Sequence, residues 1–138
     1  MISTKGRYAL RIMIDLAEQN TDAYIPLKEI ADRQDISEKY LQQITKLLVE
    51  NNMLEGVRGK GGGYRLTRRP EEYTVGEILE LMEGTLSSVA CLAPRAKKCS
   101  RSRECRTLPM WLEFDRMVHD FFFRITIADL AAGKLPDL

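Results

Sequence analysis

The chain has 138 residues, with 21 Lys and Arg against 20 Asp and Glu, one His, three Cys and 44% hydrophobic residues. A chain of this length buries roughly two thirds of its unfolded surface, so one domain can fold without disulfide bonds. The odd number of cysteines also argues against a secreted disulfide framework. No apolar run approaches the ~20 residues that span a bilayer, so we expect a cytoplasmic protein with no membrane partner.

The net charge of +1 is the sum of blocks of opposite sign. Residues 56–70 carry five basic and no acidic side chains, residues 71–94 carry five acidic and no basic ones, and residues 95–106 carry six basic and one acidic. Cancelling blocks are typical of a protein with a local polyanion contact and a separate, differently charged module. For any single block taken alone, a solvated face that binds nothing is the favoured interpretation.

Hydrophobic periodicity and turn signals predict a mainly α-helical fold with one small β-hairpin. The predicted elements are, in chain order, helices over 7–19, 27–33 and 37–51, a hairpin of strands 54–58 and 63–67, a helix that begins after Thr74, a loop or broken helix over 83–107, a long helix over 108–125 and a short helix over 127–132. Ser37 and Thr74 are the predicted N-caps. At 1.5 Å per residue the long helix spans roughly 27 Å, enough to project from a small domain.

Two helices joined by a tight turn and followed by a basic, Gly-rich hairpin are typical of a winged helix-turn-helix. The third helix would enter a DNA major groove with its polar N-terminal face. Glycines at the hairpin tip permit positive φ and a close approach to phosphate, which the neighbouring cations attract. The predicted DNA-contacting residues are Ser37, Glu38, Lys39, Tyr40, Gln42, Gln43, Lys46, Arg58, Gly59, Lys60 and Gly61. The alternative is a helical bundle whose hairpin binds nothing.

Cys91, Cys99 and Cys105 lie in the second basic block at the spacing Cys-x7-Cys-x5-Cys. This spacing lacks the Cys-x2-4-Cys knuckle and the fourth ligand of a structural zinc site. Three thiolates in a loop are able to hold an iron-sulfur cluster when a fourth ligand comes from elsewhere, and the surrounding cations favour the thiolate form. A set of oxidisable thiols and buried structural cysteines are the alternatives.

No catalytic arrangement emerges from the sequence, so we predict that the protein is not an enzyme. A hydrolase would have to combine Cys105 with His119, the one histidine, which lies about three turns into the long helix. That position favours a surface or interface role for His119. The glycine cluster at 59–63 lacks the Gly-Lys-Ser/Thr ending of a nucleotide-phosphate loop and precedes a strand rather than a helix.

The long helix carries a hydrophobic seam at alternating steps of three and four residues. Its members are Trp111, Phe114, Val118, Phe121 and Ile125. A seam of this kind predicts an interface with another helix.

Three motifs, at residues 3–10 (Ser-Thr-Lys-Gly-Arg-Tyr-Ala-Leu), 36–43 (Ile-Ser-Glu-Lys-Tyr-Leu-Gln-Gln) and 57–66 (Val-Arg-Gly-Lys-Gly-Gly-Gly-Tyr-Arg-Leu), resemble the IscR, NsrR and CymR family of bacterial winged-helix transcription regulators. The resemblance covers nearly the whole chain. It implies a homodimer that is held by the long helix near 108–125 and binds two-fold related operator half-sites. We accordingly divide the chain into a DNA-binding domain (1–83), a cysteine loop (84–107) and a dimerisation helix with a short C-terminal helix (108–138).

The cysteine set resembles the cluster-binding, IscR-like branch of this family, whereas the CymR-like branch lacks it. The resemblance implies a cluster of the [2Fe-2S] type on Cys91, Cys99 and Cys105. One departure concerns the fourth ligand. The IscR-like histidine three residues after the third cysteine is Leu108 here, and the NsrR-like carboxylate position in the first helix corresponds to Arg7. The fourth ligand is therefore undetermined.

The leading hypothesis is a homodimeric transcription regulator whose affinity for double-stranded DNA is controlled by an iron-sulfur cluster that senses iron-sulfur status, redox state or nitrosative stress. A second hypothesis keeps the fold and replaces the cluster with thiol oxidation or a partner enzyme. A third is a dimeric adaptor that does not bind DNA and uses the seam helix to assemble a complex.

Overall fold

The computed structural model describes residues 1–137 and, within that range, contains six α-helices and a two-stranded antiparallel hairpin. The elements are α1 (Thr4–Gln19), α2 (Leu27–Gln34), α3 (Glu38–Glu50), β1 (Leu54–Val57), β2 (Gly63–Leu66), α4 (Val75–Glu83), α5 (Leu108–Arg124) and α6 (Ile127–Ala131). The predicted mainly α-helical fold with a small β-hairpin is confirmed. Each predicted element is present with its ends shifted by at most a few residues.

Both predicted N-caps begin their helices. Ser37 Oγ accepts a hydrogen bond from the backbone N–H of Tyr40 at 3.0 Å, and Thr74 Oγ1 accepts one from Glu77 at 3.1 Å. Caps of this kind stabilise a helix by about 0.5–2 kcal/mol each. Because Ser37 defines the first turn of α3, it also defines where the exposed polar face of that helix starts.

The main hydrophobic core lies between α1, α2 and α3 and extends to the base of the hairpin. Its fully buried side chains include Ile12 and Met13 of α1, Ile30 of α2, and Leu41 and Ile44 of α3. The buried residues of α1 and α3 lie at helical spacing, as the sequence predicts: Ala9, Ile12, Met13 and Leu16 on α1, and Leu41, Ile44 and Leu48 on α3. The side of α3 that packs inward is therefore set by its own periodicity, and the opposite side faces solvent.

The hairpin is tied to the helices by a third short segment. The N–H groups of Ile25 and Tyr64 each donate to the other residue's carbonyl at 2.8 Å, which adds a β-bridge to the edge of β2. Along the hairpin, β1 pairs with β2 from Leu54 opposite Leu66, at the base, to Val57 opposite Gly63, next to the tip. The wing is thus held along β2 up to Tyr64, close to its tip, and the tip residues 58–61 are exposed.

The chain after α5 returns to the DNA-binding domain. Val75 N–H donates to Ile125 C=O at 2.8 Å, and Ile127 N–H donates to Tyr73 C=O at 3.0 Å. Ile127 is fully buried in the main core, so α6 packs with α1 and with the 3-10 turn Pro70–Glu72 that precedes α4. A boundary at 107/108 therefore separates α6 from residues with which it shares a core.

One predicted interface residue requires correction. Ile125 lies one residue beyond the end of α5 and is only 3% exposed, because it packs with Val75, Leu79 and Leu86 in a second hydrophobic cluster. Its side chain is already buried within its own chain and has no surface to offer a partner. The helical seam therefore stops before Ile125.

The segment between α4 and α5 contains one short 3-10 turn, Ala90–Leu92, and no α-helix or strand in the part of the chain described. This agrees with the predicted loop. None of the helices within residues 1–137 combines the length and the apolar character needed to cross a membrane.

Candidate DNA interface and cysteine loop

The solvent-facing side of α3 carries most of the predicted DNA-contacting residues. Its exposed side chains are Ser37, Glu38, Lys39, Gln42, Gln43 and Lys46. Tyr40 differs, because it is half-buried and its ring meets that of Tyr8 edge-on at 5.6 Å between centroids. Tyr40 thus anchors the first turn of α3 on α1, and only part of its side chain reaches the polar face.

A buried ion pair holds the turn before α3. The carboxylate of Asp15 is 1% exposed and accepts hydrogen bonds from Arg33 Nη2 at 2.8 Å and from Gln34 Nε2 at 2.9 Å. Arg11 of the same helix donates to the Gln34 backbone carbonyl and, at 3.0 Å, to its side-chain oxygen. Hydrogen bonding to Asp15 raises the pKa of Arg33 above its ordinary value, against a smaller opposing effect of burial.

This network was not predicted from the sequence. Its one local signal is Asp15, a charged residue on the otherwise apolar side of α1. Gln34 is the last residue of α2, and the turn 35–37 leads from it directly into α3. Because Asp15 and Arg11 hydrogen-bond to that last residue, α1 fixes the end of α2, from which the turn 35–37 leads into α3.

The tip of the wing is built from glycines. Gly59 and Gly61 have φ of 91° and 79°, in the left-handed region that favours glycine, and Arg58 and Lys60 lie beside them, all four exposed. The third cation of the hairpin, Arg65, instead donates to Glu55 at 2.7 Å, and that hydrogen bond raises its pKa above the ordinary value.

The α3 face and the wing line a single groove of about 710 Å³. Glu38, Gln42 and Lys46 form one wall, and Arg58 and Gly59 form part of the other. The structure therefore brings together residues from both parts of the predicted DNA interface. Lys28, in the first turn of α2, lines the same groove but is not among the DNA-contacting residues predicted from the sequence. Its position two residues after Pro26, in the first turn of a predicted helix, was the available signal.

The three cysteines are free thiols on or near the surface of the loop. Cys91 and Cys99 are exposed and Cys105 is half-buried. Cys105 Sγ lies 3.4 Å from Thr107 Oγ1, and hydrogen bonding to Thr107 lowers the pKa of the Cys105 thiol below its ordinary value. Among residues 1–137, no three Cys, His, Asp or Glu side chains converge closely enough to hold a metal ion. The conformation described does not bring the three thiols together.

The long helix α5 presents two apolar faces rather than one seam. Trp111 and Val118 are half-buried, and Val118 packs against the cluster that contains Ile125. Phe114 and Phe121 are exposed. Met110 and Met117, which the sequence analysis did not select, lie on the same face as these two phenylalanines and are more than half exposed. His119 is exposed and stacks on Phe123 at 4.2 Å, which agrees with a surface role.

Comparison with known proteins assigns the family. The Rrf2 family model, described as an iron-dependent transcriptional regulator, matches residues 2–133. The chain belongs to the Rrf2 family. Among relatives, it is 32% identical over 133 residues to the HTH-type transcriptional regulator IscR of Pectobacterium atrosepticum, covering 96% of this chain and 80% of that protein.

Solved structures agree with this Rrf2 assignment. The structure of CymR, the global cysteine regulator of B. subtilis, is similar with a TM-score of 0.78 and 33% identity, covering 97% of this chain and 98% of that one. T. potens IscR is similar with a TM-score of 0.75 and 31% identity, covering 96% and 87%. The predicted winged-helix regulator family is confirmed. The protein is a transcriptional regulator of the Rrf2 type with a DNA-binding winged helix, and its named relatives are regulators, which are not enzymes.

Proposed function

We propose that this Rrf2 regulator acts as a homodimer on two-fold related duplex operators, and that an iron-sulfur cluster on Cys91, Cys99 and Cys105 controls its affinity for them. The observation that carries the DNA-reading part is the groove shared by α3 and the wing. It presents a polar helix face and two wing cations, Arg58 and Lys60, that make no salt bridge within the described chain.

The dimer rests on the outer face of α5. Met110, Phe114, Met117 and Phe121 expose between 36% and 57% of their surface on one side of a 17-residue helix. Contiguous exposed apolar side chains of this size favour burial against a partner, and a second α5 offers the same self-complementary face. Two such helices side by side would fix the separation of the two α3 helices. We expect a dimer in sedimentation velocity and a monomer for the Phe114→Asp variant.

The donor chemistry of the loop suits a cluster. Three thiols lie in a stretch with six cations and one carboxylate, Glu104, and cations favour thiolates and offset the negative charge of a cluster. The segment 84–107 has almost no regular structure to disrupt, so the three sulfurs could converge without unfolding a helix. When bound, the cluster would supply a centre that responds to oxidants and to iron supply. The fourth ligand stays undetermined.

One hydrogen bond connects the start of the loop to α5, and two more connect the last residue of α4, directly before the loop, to α1. Ser88 N–H donates to Asp115 Oδ1 of α5 at 2.9 Å. Glu83, at the end of α4, accepts hydrogen bonds from the N–H and hydroxyl of Ser3 at 2.9 and 2.7 Å, which joins it to the N-cap of α1. A rearrangement of the loop would therefore act on α5, and through Glu83 on α1, which fixes the end of α2 that leads into α3. A coupling of about 1–3 kcal/mol changes operator affinity about five- to 150-fold.

Iron, acid-labile sulfide and visible absorption of anaerobically purified protein test the cluster. We expect visible bands and iron and sulfide in equal amounts, and their loss in a variant with all three cysteines replaced by serine. A Ser100→Ala/Ser102→Ala variant in the same loop is the matched control and should keep them. A colourless protein with stoichiometric zinc would exclude the cluster.

A second candidate is control by thiol oxidation. It is favoured by the separate, accessible positions of the three free thiols in the described conformation. A similar structure, at 34% identity and a TM-score of 0.72, is S. aureus CymR in an oxidised form. Peroxide treatment of the iron-free protein, with mass spectrometry of the cysteines and operator titration before and after, tests this candidate. Unchanged operator affinity after cysteine oxidation would exclude it.

A further inference from the structure

Glu38 and Glu50 are the two acidic side chains that line the groove, and Glu38 is the one at the start of α3. It occupies the first position of α3, is exposed, and lines the groove together with Lys46 and Arg58. Within residues 1–137 its carboxylate forms no salt bridge with either cation or with any other group. The carboxylate is therefore available to accept hydrogen bonds from a ligand bound in the groove.

The fold does not require a carboxylate at this position. Ser37 already caps α3, and a capping box would place its acid at the third helical position, which is Tyr40. The remaining internal role of Glu38 is a favourable interaction with the helix dipole, which falls off within the first turn and is screened by salt. Against this stands repulsion of every DNA phosphate near the groove.

A hydrogen-bond donor on the DNA base edges would offset that repulsion. In the major groove such donors are the exocyclic amino groups of cytosine and adenine. Adenine presents its N7 acceptor beside the amino group, which suits an amide and repels a carboxylate. Cytosine presents its amino group without an adjacent acceptor on its own edge, and this matches a side chain that only accepts hydrogen bonds.

We infer that Glu38 is a base-discriminating residue whose carboxylate accepts a hydrogen bond from a cytosine amino group in each operator half-site and rejects sites that lack it. This inference rests on the DNA-binding function of the winged helix. Gln42, one turn further along the same wall of the groove, has the donor and acceptor that suit adenine. The two residues together would specify neighbouring parts of one half-site.

The test begins with selection of duplexes from a random pool by the full-length wild-type protein. Affinities are then measured for the selected operator and for its single base-pair variants. We expect one cytosine position per half-site at which any other base weakens wild-type binding about five- to 150-fold. Glu38→Ala should lose this discrimination and bind unrelated duplex more tightly, while Glu38→Gln should shift the preference towards adenine. Thermal melting of each variant verifies that it is folded.

Glu50→Ala is the matched control, because Glu50 is exposed and lines the same groove from the last turn of α3. It removes the same charge and should raise affinity for all duplexes alike while keeping the cytosine preference. The inference is overturned if Glu38→Ala keeps the wild-type preference at every base pair, or if the two alanine variants change all duplexes equally. A wild-type protein that binds all duplexes alike would instead contradict specific operator recognition itself.

Discussion

The segment 1–83 and the cysteine loop at 84–107 are stabilised in opposite ways. The first has capped helices, a continuous core and a buried ion pair that fixes the end of α2. The second has one 3-10 turn, exposed or half-buried thiols and, near its beginning, the buried Leu86 and a hydrogen bond from Ser88 to α5. A DNA-reading surface gains affinity from being rigid before it binds, whereas a sensor must have two arrangements of similar free energy. Under the proposed function, recognition is therefore built into the fold, and the response depends on what organises the loop.

Removing the ion pair that holds the helix-turn-helix should have the largest effect on the stability of segment 1–83. Asp15→Ala leaves Arg33 and Gln34 without their acceptor, and we expect a loss of about 2–4 kcal/mol in the free energy of unfolding, lowered from the range for fully buried pairs because Arg33 is 36% exposed. Urea denaturation measures it. Glu29→Ala, which removes a second, exposed partner of Arg33 at 3.7 Å, is the control and should change stability by less than about 1 kcal/mol. Equal effects of the two variants would contradict a special role for Asp15.

The second prediction concerns the wing. Arg58→Ala/Lys60→Ala should weaken binding to all duplexes on the order of tenfold and lower the slope of log affinity against log salt by about 3.6, because the dimer loses two phosphate contacts in each subunit and each contact contributes about 0.9 to that slope. Fluorescence anisotropy at several salt concentrations measures both. Arg69→Ala, in the same basic block but beside Glu71 and Glu72, should leave the slope unchanged. An unaltered slope in the double variant would remove the wing from the contacts.

The third prediction concerns pH. Burial alone would raise the pKa of Glu77, but hydrogen bonds from Thr74 N–H and from Arg68 outweigh it, and the net pKa is lowered. A lowered pKa in the folded state stabilises the fold above the unfolded value of about 4.3, and this stabilisation is lost as pH falls through the folded pKa. We therefore expect Glu77→Gln to cost about 1 kcal/mol at pH 7 and progressively less as pH falls below about 4. Denaturant titrations of the wild type and the variant at pH 7 and at a pH below about 4 measure this difference in unfolding free energy. A constant difference would contradict the assignment.

The smallest expected effect is the change in stability when the cysteines of the loop are replaced. In the iron-free protein, replacing all three cysteines with serine should change the free energy of unfolding by less than about 0.5 kcal/mol, because none of them belongs to either hydrophobic cluster. Chemical denaturation under reducing conditions measures it. A loss of several kcal/mol would mean that the thiols are structural, as the sequence alone allowed.

Much of the architecture was available from local pattern. Leu41 and Ile44 lie at helical spacing on α3, and Ser37 and Thr74 cap the helices that they precede. The glycines of the wing tip indicate a turn with positive φ. Each of these signals arises between residues that are close along the chain. The same applies to the DNA interface, because α3 and the wing follow one another within about thirty residues and their local charge agrees.

What the sequence by itself determined is therefore the kind of protein: a winged helix with a polar recognition helix, a basic wing and a separate cysteine loop. Only the tertiary structure decided that Ile125 is buried beside Val75 and that Asp15 hydrogen-bonds to the end of α2. It also decided that α5 has an inner face with Val118 and an outer face with Phe114. These facts join residues far apart in sequence. The spacing that predicts an apolar face on a helix is the same whether that face packs on its own chain or on a partner, and only the packed chain distinguishes the two.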